Sequence, residues 1–102
     1  MTDPVAISKK FISELTSAGI PVSKAYLYGS YAKGNATSYS DIDICIVSPS
    51  FGKDLIDEMV KLRQISRRVD DRIEALPFGI DDINNPYDPL AAEIRRFGQP
   101  II

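Results

Sequence analysis

The run Asp41-Ile42-Asp43-Ile44-Cys45-Ile46-Val47 constrains the fold of this chain more than any other segment. After its acidic start it is apolar on both faces, as expected of a strand in the middle of a covered sheet. Successive side chains on a strand point to opposite faces, so Asp41 and Asp43 project from the same one. Two carboxylates held that close repel each other unless a cation neutralises them. Asp43 is the sharper signal. A competing reading makes Asp41 the first residue of the strand and Asp43 solvent-facing, but a charge inside an apolar strand needs a partner.

Upstream, Lys24 to Tyr28 reads as a shorter strand, followed by Gly29-Ser30 and then ten residues before Asp41. Glycine lets the backbone approach a ligand, and backbone N–H groups with a serine hydroxyl can cradle phosphate oxygens. An ordinary strand-ending turn is the competing reading. The segment is no P-loop, because Lys33 is followed by Gly34, and it carries no G-x-G-x-x-G. Nor is Asp41-x-Asp43 an EF-hand, since Ile44, Cys45 and Ile46 stand where oxygen ligands are needed. Asp41, Asp43 and Gly29-Ser30 together suggest a meeting point of hard divalent cations and a polyphosphate. Glu74, in the strand candidate Arg72 to Phe78, supplies a third carboxylate for coordination or for accepting a proton. Asp70 and Asp71 compete for that role but read as a turn. Lys33 could neutralise a leaving pyrophosphate or simply be a solvated loop lysine. Tyr26, Tyr28, Tyr31 and Tyr39 flank the motif as candidates for base stacking or for the core.

The remaining segments fill out an α/β pattern. Asp3-Pro4 opens a helix, with Ile7, Phe11, Leu15 and Ala18 at helical spacing and Gly19 as its stop. Ser48 to Gly52 is a turn. Lys53 to Val69 is a helix whose expected buried stripe is Leu55, Met59, Leu62, Ile65 and Val69. Arg67, Arg68 and Arg72 cluster near its end. Gly79 to Tyr87 is a loop. Asp88-Pro89 starts a helix running to about Phe97, capped by Gly98, and Pro100-Ile101-Ile102 is a short edge strand. The expected fold is a small mixed β-sheet with helices packed on it, as one domain over residues 1–102.

Composition excludes several function classes. The net charge of −2 leaves no electrostatic footprint for duplex nucleic acid. No apolar run approaches the ~20 residues of a membrane span, and the N-terminus lacks a signal-peptide pattern. One cysteine, Cys45, cannot form an internal disulfide and suits a cytoplasmic protein. With no histidine, Ser-His and Cys-His nucleophile pairs and the usual zinc sites are ruled out.

Leu27-Tyr28-Gly29-Ser30-Tyr31-Ala32-Lys33-Gly34, then Ser40-Asp41-Ile42-Asp43-Ile44, with a later strand carboxylate, resembles the signature of the nucleotidyltransferase superfamily with the DNA polymerase β-type palm. The chain resembles in particular the minimal, MNT-type single domains. The resemblance implies a polymerase β palm-like fold. It implies that Gly29 and Ser30 hold a nucleoside triphosphate, with Lys33 on the phosphate side. It further implies that Asp41 and Asp43 bind two Mg²⁺ ions, with Glu74 as the third acidic position. Lys33 stands where many members have arginine, and Glu74 where many have aspartate. The implied reaction moves a nucleoside monophosphate from ATP or another NTP to a hydroxyl and releases pyrophosphate. MNT-type domains are often antitoxins paired with HEPN-type toxins, which implies a protein partner and AMP transfer to a tyrosine. A non-catalytic module that neutralises a partner, and an enzyme acting on a small-molecule hydroxyl, are the alternatives. Homo- and hetero-oligomers are both open.

Overall fold

The computed structural model describes residues 3–37 and 39–102. The signal-peptide reading of the first two residues, and Ser38 within the loop before Asp41, lie outside the described residues. Among these, four strands form one mixed sheet. The elements run α1 (Pro4–Ser17), β1 (Lys24–Tyr28), α2 (Ser30–Lys33), β2 (Ile42–Val47), α3 (Leu55–Ser66), β3 (Ile73–Phe78), α4 (Ile80–Ile83), α5 (Pro89–Phe97) and β4 (Gln99–Pro100). The sheet order is β3-β2-β1-β4. β1 pairs with β2 and with β4 antiparallel, whereas β2 and β3 run parallel. β2 is therefore central, as its two apolar faces require.

The alternation of side chains along the strands builds two cores. Ala25, Leu27, Ile42, Ile44, Ile46 and Ile73 face α1 and α3, meeting Phe11, Leu15, Leu62 and Ile65. Cys45, Val47 and Phe78 face the other way, onto Ile83 of α4 and Ala91 and Ile94 of α5. The result is an α/β/α sandwich. Cys45 is fully buried, and that desolvation pushes its thiol up to about 12, so it packs as an apolar side chain.

Helix starts follow their caps. Asp3, Asp54 and Asp88 each accept a hydrogen bond from a first-turn N–H, and Pro4 and Pro89 occupy first helical positions. Two expectations are corrected. The loop after Gly79 contains the short helix α4, held at its start by Asp82, whose carboxylate accepts from the Gly79 N–H at 2.7 Å. The stripe expected for the long helix is rotated: Leu55 and Met59 are exposed, and Glu58, Leu62, Ile65 and Ser66 are buried. Glu58 can be interior because its carboxylate accepts from the N–H groups of Gly52, Lys53 and Asp54 at 3.0, 3.1 and 3.0 Å. Desolvation would raise its pKa, but these bonds together outweigh it and hold Glu58 below the usual carboxylate range.

Candidate active site

The sheet register assembles the site. Tyr28 lies opposite Asp43 across the β1–β2 pair, and Glu74 lies opposite Asp43 across the β2–β3 pair. Directly paired residues share a face, so Tyr28, Asp43 and Glu74 form a row. The row sits on the α5 side, one step beyond Cys45. Asp41, two residues before Asp43 and just outside β2, is exposed, whereas Asp43 is half-buried.

Burial raises the pKa of Asp43, and the charges of Asp41 and then Glu74 raise it further. Tyr28 is pushed up more strongly, first by burial and then by Asp43, Cys45, Glu74 and Glu93. Three carboxylates thus concentrate negative charge at the start of the central strand. Among the described residues no ion pair reaches Asp43.

Gly29 ends β1 directly against this acid. Its φ of 71° and ψ of −147° belong to a region open essentially to glycine. A Cβ there would collide with Asp43 Oδ2. Gly29 thereby lets Asp43 lie against the backbone turn from which α2 starts at Ser30. The first N–H groups of a helix have no intrahelical partner and point outward, toward whatever docks at this turn. Tyr31 anchors the following loop, donating to the Thr37 carbonyl at 3.3 Å.

The two remaining candidates are held by partners that sequence reasoning missed. Lys33 Nζ donates to Glu93 Oε1 of α5 at 2.9 Å. Glu74 Oε1 lies 3.9 Å from Arg63 Nη1, which reaches round the open edge of the sheet from α3. Asp43 and Glu74 share a face, and Asp41, just outside β2, lies near enough for its charge to act on Asp43. Among the described residues no group of three His, Cys, Asp or Glu side chains is disposed to hold an ion. Asp70 is occupied structurally: its carboxylate accepts from Arg72 Nη2 at 2.7 Å, and that bond lowers its pKa. Of the flanking tyrosines, Tyr26 and Tyr28 pack on the α5-side core and Tyr31 on the other, while Tyr39 is 93% exposed.

The donor set suits a hard cation. It is all oxygen, electrostatically strained and partly open to solvent. Mg²⁺ typically uses one or two carboxylates and keeps its waters, so Asp41 and Asp43 could hold one without a preformed cage.

Residues 7–95 match the family model of the nucleotidyltransferase domain. The chain belongs to that family. This nucleotidyltransferase domain is similar in fold to three solved structures. A candidate nucleotidyltransferase from Sulfolobus solfataricus has a TM-score of 0.63 at 22% identity, covering 82% of this chain and 74% of that one. A toxin–antitoxin complex solved with AMP-PNP gives 0.65 at 23% identity, covering 92% and 72%. A toxin–antitoxin pair, MntA–HpeT, with two aspartates changed to glutamate gives 0.66 at 20% identity, covering 92% and 71%. No curated protein matches the domain by sequence. Among the described residues no helix is long and apolar enough to cross a membrane.

Proposed function

We propose that this domain transfers AMP from ATP to a hydroxyl, and that the acceptor is a tyrosine of a HEPN-type toxin for which it is the antitoxin. The observation that carries the transfer reaction is the placement of Asp43. It is half-buried, flanked electrostatically by Asp41 and Glu74, and backed by a turn where only glycine fits. The choice of ATP is supported by likeness to a complex solved with AMP-PNP, and the protein acceptor by likeness to two toxin–antitoxin structures.

In this reading Asp41 and Asp43 hold Mg²⁺, two ions when the triphosphate is present, with Glu74 as a further ligand. Bound there, the ions would neutralise the triphosphate and lower the pKa of the acceptor hydroxyl. Gly29 and Ser30 bind phosphate oxygens through backbone N–H groups and the serine hydroxyl. Lys33 exchanges Glu93 for the charge that builds up on the departing pyrophosphate. The acceptor oxygen attacks the α-phosphorus, the bond to pyrophosphate breaks, and the hydroxyl proton passes to a nearby carboxylate or to water. Glu74 reaches the site by turning away from Arg63, as the third acidic position for coordination or as the acceptor of that proton.

Incubation of the domain with α-labelled ATP, Mg²⁺ and its co-purifying partner is the test. Label is expected on a partner tyrosine, and Asp41→Ala with Asp43→Ala should abolish it. Equal labelling by that variant would refute the assignment. Label on a small hydroxyl compound without any partner would replace the acceptor. Tight partner binding without nucleotide binding would leave a neutralising module only.

A further inference from the structure

Lys33 is tied at both ends. Its backbone N–H donates to the Gly29 carbonyl at 3.1 Å, so it stands one helical turn beyond the glycine that lies against Asp43. Its side chain crosses to α5, where Nζ donates to Glu93 Oε1 at 2.9 Å. Among the described residues no other carboxylate forms an ion pair with Lys33, and no other cation forms one with Glu93. The two side chains are 48 and 39% exposed. Pairs that open to water are weak, so this one yields readily to a stronger partner of either charge.

Glu93 also faces the acidic row. Its charge acts on the Tyr28 phenol together with those of Asp43 and Glu74. In the proposed reaction Asp41, Asp43 and Glu74 are the carboxylates for cations. Glu93 has no such task. It is a fourth negative charge, set on the single lysine of the turn from Gly29 to Gly34. A triphosphate that draws in Lys33 has to displace Glu93 and then lie near its charge, and both effects oppose binding.

We propose that Glu93 is a positioning residue that competes with the substrate's phosphates for Lys33. It holds the lysine while the site is empty, lowers the affinity for the triphosphate, and takes the lysine back as pyrophosphate leaves. This rests on the reading in which Gly29, Ser30 and Lys33 receive the triphosphate, and adds to it a residue that limits how tightly substrate and product are held.

Titration calorimetry of the whole chain with Mg²⁺ and α,β-methylene-ATP, whose α–β link resists cleavage, tests this. Glu93→Gln, similar in shape and uncharged, should tighten binding about three- to fivefold, the range that an exposed pair commands. Glu93→Ala, which also removes the hydrogen bond, should act in the same direction. Magnesium pyrophosphate should gain the same factor, whereas AMP, which lacks the β- and γ-phosphates, should bind all forms alike. Lys33→Met should weaken the triphosphate, and Glu93→Gln added to Lys33→Met should change nothing further, since the competition needs both residues. Equal triphosphate affinity in the wild type and both Glu93 variants would overturn the proposal while leaving the nucleotide site in place. So would a gain that persists in the Lys33→Met background or extends to AMP, which would reduce Glu93 to a general repulsive charge. A wild type that binds neither the triphosphate nor pyrophosphate would remove the site itself and this inference with it.

Discussion

Asp43 is costly to the folded chain in the absence of a cation. Its pKa is raised by burial and by its acidic neighbours, so the folded state binds its proton more tightly than the unfolded state does. A raised acid takes stability away as pH climbs above its ordinary value of 3.8. Asp43→Asn should therefore raise the melting temperature by a few degrees at neutral pH without divalent ions, while label transfer disappears. A lowered melting temperature would mean that the carboxylate is satisfied within the fold. Gly29 is the second residue on which the site turns. Gly29→Ala places a methyl against Asp43 Oδ2 at a φ that alanine avoids. It should reduce kcat/KM by about 10²-fold by displacing the acid and lower the melting temperature as well. Activity intact in that variant would separate the turn from the reaction. Both residues stand out in the chain, Asp43 as a charge in an apolar run and Gly29 as a glycine at a strand end. Their mutual contact was not, because they sit on different strands.

Helix α3 shows where element-level reading fails. Its apolar residues recur at two overlapping helical registers, one through Leu55 and Met59 and one through Leu62 and Ile65, so periodicity alone could not choose the buried side. The choice was made by Glu58, a residue whose type argues for the surface. Three backbone N–H groups of the preceding loop satisfy its carboxylate and turn that side of the helix inward. Leu62→Ala is expected to cost about 3 kcal/mol, whereas Met59→Ala should cost under about 0.5 kcal/mol. Urea unfolding of the two variants checks this, and equal losses would reinstate the single-stripe reading. The strands were easier. β1 was legible at its full extent, and β2 and β3 were legible to within a residue at their starts, because alternation and flanking turn residues fix them locally.

At the scale of the whole molecule, acid stability depends on carboxylates tied into the frame. The pKa values of Glu58 and Asp70 are both depressed in the folded state. A depressed acid contributes stability above its ordinary value, 4.5 and 3.8 here, and loses it as pH falls through the folded value. Midpoints of urea unfolding should be flat near neutrality and fall steeply below about pH 4.5. Glu58→Gln should cost about 2 kcal/mol at pH 7 and flatten the acid limb, since its bonds to the loop are no longer charge-assisted. An acid limb unchanged by that substitution would shift the dependence to other groups. The sequence by itself determined the strands β1 to β3, the three long helices, the centrality of β2 and the Gly29-Ser30 turn, because each follows from the period or the punctuation of a single segment. Tertiary structure alone decided that Glu74 stands in register with Asp43, that Lys33 rests on Glu93, that Arg63 reaches Glu74, and which side of α3 is left bare. Those relations join segments separated by a crossover or by the thickness of the sheet, where local periodicity carries no information and packing sets the distance.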